Sequence, residues 1–291
     1  MFYASRILLL LASLMLFFAP GAALSKQQVI WITDDYREIE HLALNTHLNI
    51  TTDSLKLLLA GLTEFNIEFR EALLPRAKKL VFNRENVCGV NWVKTKERAA
   101  NSHYSLPFTI YPGLRLYYLD GYSQVPMTVK NKQNQLISLA ALIKSSPDSV
   151  LGIVKGRSYG VFIDGQLNAL EPSSKYIRSG RQPYRSIESM LVKRRINYLI
   201  EFPSEMTDFE RKYNLDGQLR SIEIAGAEPY LVGHIACSKS EIGEQMIAAI
   251  DKGLIELYGS AEYLTAHLRH ISPYDRSSFI NFYRNLTSPL K

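Results

Sequence analysis

Short apolar runs alternate with amphipathic stretches along most of the chain, and the two patterns predict different elements. The apolar runs that predict β-strands are residues 28–33, 65–69, 87–93, 114–119, 150–154, 196–200, 219–224 and 231–237. Between them, apolar residues recur at helical spacing, as in the core stripe predicted at Leu55, Leu58, Leu59 and Leu62. The order strand–helix–strand–helix–strand up to residue 93 is typical of an α/β fold with parallel strand pairing.

The stretch from Cys88 to Phe108 contains the strongest candidate for a binding site. Its apolar start predicts a strand, and Thr95 is the predicted N-cap of a helix whose first turn contains Arg98. A strand end, a helix start and a fixed cation together suit an anion or a carboxylate. The alternative is an ordinary strand–loop–helix with a solvated arginine, because exposed arginines are common.

The same stretch resembles the extracellular solute-binding proteins of family 3, the polar amino acid type of the type II periplasmic binding fold. The resemblance rests on Thr95-Lys96-Glu97-Arg98 and on the following Tyr104-Ser105-Leu106-Pro107-Phe108. In that family the arginine grips the ligand carboxylate, so the resemblance implies that Arg98 binds the ligand. It also implies an α/β fold of two lobes joined by a double crossover hinge, with a ligand cleft between the lobes.

The resemblance divides the chain at two crossings. Residues 111–113, Tyr-Pro-Gly, mark the first crossing, and residues 225–230 mark the return. The expected first lobe is residues 26–111 plus 230–291, and the expected second lobe is residues 112–229. The ligand is expected at the strand ends of both lobes, where open α/β sheets place their binding sites.

Residues 155–160, Lys-Gly-Arg-Ser-Tyr-Gly, form a second candidate segment between a predicted strand and a predicted helix. Free backbone N–H groups at a helix start bind anions. The segment resembles the family's glycine turn, which implies that Ser158 and Tyr159 meet the ligand carboxylate through backbone amides. A plain capped helix start is the alternative. The segment lacks the Gly-Lys-Ser/Thr ending of a nucleotide-binding P-loop.

Three further candidates stand at or near predicted strand ends. Tyr36 and Trp92 are expected to stack on the ligand, and Glu201 is expected to accept a hydrogen bond from it. For Glu201 the alternative is a solvated carboxylate at a strand end. The chain departs from the family at Asn197, where an acid is usual, and at Asp34-Asp35-Tyr36, where Pro-Pro-aromatic is usual. These departures leave the ligand class open.

The N-terminal residues 1–25 predict a secretory signal peptide. Arg6 precedes an apolar run at residues 7–18, and residues 20–21, Pro-Gly, interrupt it ahead of a small-x-small cleavage pattern at residues 23–25. An uncleaved anchor is the alternative, but the apolar run is shorter than a membrane span. Together with the resemblance, this segment predicts a periplasmic protein of a Gram-negative bacterium.

The charge pattern indicates no nucleic-acid partner. The 291 residues include 34 Lys and Arg against 28 Asp and Glu, a net charge of +6. The positive residues form only short groups at 76–79 and 193–195, which apolar neighbours interrupt. Such groups are typical of solvated helix faces, whereas a nucleic-acid surface is denser in positive charge.

Cys88 and Cys237 are the only cysteines in the sequence. An exported chain meets an oxidising compartment, where cysteine pairs are commonly bonded. Both residues lie in predicted strands, and the family topology places these strands in the same lobe. We therefore predict a Cys88–Cys237 disulfide, with two buried free thiols as the alternative.

The sequence contains no strong catalytic or metal-binding motif. It has neither Gly-x-Ser-x-Gly nor His-Glu-x-x-His. His267 and His270 stand one helical turn apart, but a metal site needs three or four converging ligands. We therefore expect no metal and no cofactor.

We expect a monomeric solute-binding protein, not an enzyme, that captures a small polar or anionic, amino acid-like ligand. It would deliver this ligand to an ABC permease or present it to a receptor. One alternative is a dehydratase-like enzyme on the same scaffold, with Glu201 or His103 as its acid/base group. The other is a periplasmic sensor without a transport role.

Overall fold

The computed structural model describes residues 26–290, so the predicted signal peptide at residues 1–25 lies outside the described residues. The strands are β1 (Gln27–Thr33), β2 (Phe65–Glu71), β3 (Val87–Trp92), β4 (Ser102–Tyr104), β5 (Thr109–Pro112), β6 (Arg115–Leu119), β7 (Leu151–Val154), β8 (Lys175–Arg178), β9 (Tyr198–Glu201), β10 (Leu219–Glu223) and β11 (Tyr230–Ser238). The helices are α1 (Tyr36–Ala43), α2 (Ile50–Leu59), α3 (Leu74–Asn83), α4 (Lys96–Asn101), α5 (Leu139–Ser145), α6 (Val161–Ala169), α7 (Pro183–Val192), α8 (Pro203–Tyr213), α9 (Glu241–Leu257), α10 (Ala261–Leu268) and α11 (Arg276–Thr287).

The strands form two separate sheets. The first has the order β2-β1-β3-β11-β4, and β5 also pairs with β11. Its strand β1 runs parallel to β2 and β3, as the strand–helix alternation predicts. The second sheet has the order β10-β6-β9-β7-β8, with β9, β7 and β8 parallel to one another. We call each sheet, with the helices packed on it, the first lobe and the second lobe.

The chain passes between the sheets twice, from β5 to β6 and from β10 to β11. The two crossing segments lie side by side, because β5 and β11 pair antiparallel from Pro112 opposite Tyr230 onward. At the crossing, the N–H of Gly113 donates to Pro229 O at 2.8 Å. A Cβ on Gly113 would lie 2.5 Å from Glu228 O, so only glycine permits this close approach. The connection is a double crossover.

Each lobe has its own apolar core. The predicted leucine stripe of α2 is confirmed, since Leu55, Leu58 and Leu62 are buried in the first core and Leu59 packs against it. Buried residues of α9, α10 and α11 complete that core; they are Met246, Ile250, Leu254, Tyr263, Phe279 and Tyr283. Full burial of one such side chain contributes roughly 1.5–3 kcal/mol, which explains why the C-terminal helices belong to the first lobe.

The predicted Cys88–Cys237 disulfide is present. The two cysteines face each other on the antiparallel strands β3 and β11, and both are buried. The bond links residues 149 positions apart in the sequence and so ties the C-terminal part of the chain to the first lobe.

Specific residues define the starts of three helices near the predicted sites. Thr95 Oγ1 accepts from the N–H of Arg98 at 3.3 Å, which confirms the predicted N-cap of α4. Asn49 is the N-cap of helix α2, and its Oδ1 accepts from the N–H of Thr52 at 2.9 Å. Helix α6 begins at Val161 after Gly160, whose φ is +88°, so Ser158 stands ahead of the helix and not in its first turn.

Directly after β1, residues 36–43 form helix α1, whose N-cap is Asp35. No helix within residues 26–290 has both the length and the apolar character that a membrane crossing requires.

Candidate functional site

A cleft with a cavity volume of about 120 Å³ lies between the two lobes. Its charged lining residues from the first lobe are Asp34, Asp35, Arg37, Glu38 and Arg98, and those from the second lobe are Arg157, Glu188, Glu201 and Glu205. Strands β1, β3, β7 and β9 all end beside the cleft. The cleft therefore lies where open α/β sheets bind their ligands.

Arg98 is buried and lies in the cleft, with 8% of its surface exposed. Its Nη1 donates to Val93 O at 3.1 Å and its Nη2 to Gly156 O at 3.0 Å. Gly156 belongs to the second lobe, so this side chain connects the two lobes. The guanidinium also lies 5.2 Å from the ring centroid of Trp92. Within residues 26–290, Arg98 forms no ion pair with a carboxylate.

Trp92 and Tyr36, the two predicted stacking residues, have different surroundings. Trp92 is 4% exposed and lines the cleft. Tyr36 is the first residue of α1, is 48% exposed and does not line the cleft. Helix formation directly after Asp35 turns its side chain away from the cavity. His103, the candidate acid/base residue, lies on β4 opposite Cys237 and also does not line the cleft.

Glu201 ends β9 and lines the cleft, but a residue of its own lobe binds it. Arg157 Nη1 and Nη2 donate to Glu201 Oε2 and Oε1 at 2.5 and 2.6 Å. Burial opposes the charge of Arg157, yet the adjacent Glu201 carboxylate raises the pKa of this guanidinium above its usual value. Glu201 Oε1 also accepts from the N–H of Phe202 at 2.9 Å. Both carboxylate oxygens therefore have protein donors.

The turn containing Ser158 and Tyr159 is likewise bonded internally. Ser158 Oγ donates to Asp164 Oδ2 at 2.6 Å, and the N–H of Tyr159 donates to Asp164 Oδ1 at 2.7 Å. Ser158 lines the cleft, whereas Tyr159 is buried in the second lobe and its hydroxyl accepts from the N–H of Val154. The Asp164 carboxylate thus accepts from the Tyr159 N–H, which the family resemblance had assigned to the ligand carboxylate.

Acidic residues on helices add a feature that the sequence reasoning missed. Glu38 of α1 and Glu205 of α8 line the cleft. Burial raises the pKa of Glu38 to about 8, with Asp35 adding to the effect. Burial also raises the pKa of Glu205 to about 8, with Glu201 adding to the effect. The sequence around each of these glutamates is typical of a solvent-facing helix side. The only signal for a role in the cleft was that each helix directly follows the end of a strand.

A second contact joins the lobes through Tyr184 of α7. Its hydroxyl donates to Asp34 Oδ2, which directly follows β1 in the first lobe. Burial raises the pKa of Asp34 above its ordinary value, although this hydrogen bond opposes the shift. Asp34 is half-buried.

His267 and His270 have different partners. His267 is buried, and its Nε2 accepts from the N–H of Ile110 at 3.3 Å. Burial lowers its pKa to about 4. His270 Nε2 lies 3.0 Å from Asp53 Oδ2. Across residues 26–290, no group of three or more His, Cys, Asp or Glu side chains is arranged to hold a metal ion.

Comparison with known proteins gives matches to solved structures only, since no family model and no curated protein matches the chain. An ancestral arginine-binding protein bound to arginine is 12% identical with a TM-score of 0.60, over 84% of this chain and 98% of that one. A periplasmic binding protein of Salmonella typhimurium with high arginine specificity is 10% identical with a TM-score of 0.60, over 84% and 98%.

A substrate-binding protein of an ABC uptake transporter from Streptococcus pneumoniae, with bound histidine, is 9% identical with a TM-score of 0.59. The match covers 84% of this chain and 92% of that one. Identities this low establish the fold alone. The chain therefore has the two-lobed α/β fold of periplasmic binding proteins, with the double crossover between its lobes.

Proposed function

We propose that the protein is a solute-binding protein that encloses a small, polar, amino acid-like ligand between its two lobes. The observation that carries this proposal is the cleft, which buried charged side chains from both lobes line. A ligand that touches both lobes favours the closed arrangement, and its release allows opening. The arginine and histidine bound by proteins of the same fold support an amino acid-like ligand.

Arg98 is the proposed anchor for an anionic group of the ligand. Its side chain is buried in the cleft, and two carbonyl oxygens accept from its terminal nitrogens. A guanidinium has five N–H donors, and a carboxylate is a stronger acceptor than a carbonyl. A ligand carboxylate can therefore replace Gly156 O. Trp92 and Ser158 are the proposed neighbouring contacts, because both line the cleft.

In the ligand-free protein, Tyr159 and Glu201 contribute to the site through Arg157. The Tyr159 ring and the Glu201 carboxylate both contact the Arg157 guanidinium, and so they hold a charged side chain at the cleft. Tyr36 has no role in it, because it does not line the cleft.

We also propose a cellular setting for this activity. The protein would be exported by its signal peptide, act as a monomer in the periplasm of a Gram-negative bacterium, and deliver its ligand to an ABC permease or present it to a receptor. The proposed lobes are residues 26–111 plus 230–291 and residues 112–229. No observation on residues 26–290 favours the dehydratase alternative, since Glu201 is bound to Arg157 and His103 lies away from the cleft.

The test is native mass spectrometry of freshly purified protein, followed by a thermal-shift screen of amino acids. A Kd near 1 μM corresponds to about 8 kcal/mol, and ligand at 100 times Kd stabilises by about 2.7 kcal/mol. We expect a clear rise in Tm that Arg98→Ala abolishes. Arg84→Ala, which removes an exposed arginine of the same lobe, is the matched control. An unchanged shift in Arg98→Ala rejects the anchor, and no ligand in either assay rejects the proposed function.

A further inference from the structure

The Arg157 guanidinium is enclosed by an arrangement that suits a cation of any origin. Besides its two bonds to Glu201, it lies 4.8 Å from the ring centroid of Tyr159, 5.2 Å from that of Tyr184 and 5.4 Å from that of Phe202. Aromatic faces attract cations at these distances, and a carboxylate binds a guanidinium through two parallel bonds. We call Glu201, Tyr159, Tyr184 and Phe202 the cation box.

The cation box opens into the cleft. Three of its members, Glu201, Tyr184 and Phe202, line the cavity together with Arg157. The side chains of Arg157 and Glu201 are only 10% and 11% exposed. A buried ion pair is weak evidence for a stabilising role, because desolvation offsets much of its attraction. Its position on the wall of a ligand cleft instead favours a role in binding.

Two walls of the cation box are held from the opposite lobe. The Tyr184 hydroxyl donates to Asp34 of the first lobe. The Phe202 ring stacks on Tyr111 of β5, with the ring centroids 4.4 Å apart. Two rings of the box are therefore held in place by the first lobe only when the lobes are closed, as suits a ligand subsite in a two-lobed protein.

Arg157 stands in a turn and not within a helix or strand. Its N–H donates to Val154 O at 3.3 Å, and the preceding Gly156 has a φ of +82°. The side chain can leave the box without disrupting β7 or α6. Once displaced, its charge would still face acidic side chains, because Glu188 and Glu205 line the same cleft.

We propose that the cation box is a subsite for a guanidinium or ammonium group of the ligand, and that Arg157 occupies it until the ligand's cation displaces it. This inference rests on the proposed solute-binding function and specifies the ligand as one that carries a positive group. An occupant on the same chain has a high effective concentration, so Arg157 lowers the apparent affinity for such a ligand.

The first test removes the internal occupant and supplies a free one. In Arg157→Ala, methylguanidinium chloride at non-denaturing concentration should bind at least about tenfold tighter than in the wild type, as measured by calorimetry, since an occupied site lowers apparent affinity. Arg185→Ala removes an exposed arginine of α7 and should bind as the wild type does. The double variant Arg157→Ala/Glu201→Gln should lose the gain. A folded Arg157→Ala that binds no tighter than the wild type overturns the proposal, as does an unaffected double variant.

A second test uses the unaltered chain, so it does not depend on the folding of any variant. Phenylglyoxal modifies accessible arginines, and mass spectrometry then measures the labelling of each one. Tetramethylammonium, a cation that does not react with phenylglyoxal, should increase the labelling of Arg157 and leave that of Arg185 unchanged. Equal or lower labelling of Arg157 in its presence overturns the proposal.

The outcomes separate this inference from the proposed function. If the wild-type protein binds neutral or acidic amino acids while Arg157→Ala gains no affinity for methylguanidinium, only the cation box is wrong. If no solute binds the wild-type protein, the proposed function is wrong and the inference falls with it, even where Arg157→Ala takes up methylguanidinium.

Discussion

The two walls of the cleft hold a buried guanidinium in opposite ways. On the first lobe, Arg98 donates to two backbone carbonyls and forms no ion pair within residues 26–290. On the second lobe, Arg157 is bound by both oxygens of Glu201 and surrounded by three rings. The first-lobe wall therefore presents a guanidinium that no carboxylate neutralises to a ligand. The second-lobe wall pairs its guanidinium with Glu201. The same residue type can serve as an anchor or as an occupant, depending on its acceptors.

The largest expected effect is the loss of stability when Arg157 is removed from the second-lobe wall of the cleft. Arg157→Ala leaves the Glu201 carboxylate buried and unpaired, which should lower the free energy of unfolding by about 3–5 kcal/mol. Urea unfolding followed by circular dichroism measures this change. The double variant Arg157→Leu/Glu201→Leu should recover most of it, because no buried charge remains. Equal losses of unfolding free energy in the single and double variants would contradict the idea that an unpaired Glu201 carboxylate causes the loss.

The acidic residues of the cleft predict a dependence of stability on pH. The pKa of Glu38 is about 8 in the folded protein against 4.5 for an ordinary glutamate, because burial disfavours its charge. Between these values the folded state keeps a proton that the unfolded state releases. The free energy of unfolding should therefore fall as pH rises from 4.5 to 8, by on the order of 3–5 kcal/mol, and then level off.

Glu38→Gln should make that dependence of stability on pH shallower, since an amide does not ionise, whereas Glu205, whose pKa is also about 8, still titrates. Thermal unfolding across the same pH range measures it. Glu85→Gln, at an exposed position, is the matched control and should keep the wild-type profile. A profile in Glu38→Gln as steep as in the wild type would show that this carboxyl does not titrate as its burial requires.

Removal of Arg98 from the first-lobe wall should lower the free energy of unfolding less than removal of Arg157 does. Arg98→Ala leaves two carbonyl oxygens without their donor, and not a buried charge, so we expect a loss of about 1–3 kcal/mol. Urea unfolding of Arg98→Ala and Arg157→Ala under one set of conditions compares the two walls directly. A larger loss at Arg98 would reverse the assignment of anchor and occupant.

The smallest expected effect concerns the contact between the walls. Tyr184→Phe keeps the ring of the cation box but removes the hydrogen bond to Asp34, which should cost about 1 kcal/mol. Small-angle scattering of the ligand-free variant should also show a larger radius of gyration, because one link between the lobes is lost. Tyr176→Phe, on the exposed edge strand β8, should change neither quantity.

Local pattern was enough for most strands and for the burial of the leucine stripe, because apolar spacing reports directly on which side of an element meets a core. It was not enough for Tyr36 or for Glu38. Both belong to α1, and the polar sequence of this helix looks the same whether a residue faces solvent or a cleft. Rotation of the helix about its axis decided that Tyr36 is exposed and Glu38 buried.

The sequence by itself determined the α/β alternation, the cap that positions Arg98 and, through the family resemblance, the pairing of Cys88 with Cys237. These features depend on spacing, on composition and on motifs of neighbouring residues. Only the tertiary structure decided that Arg157 binds Glu201, 44 positions away, with two walls of its surroundings held from the opposite lobe. Ion pairing depends on distance in space and produces no periodic pattern in the sequence. The partner of a buried charge is therefore identified only in the folded structure.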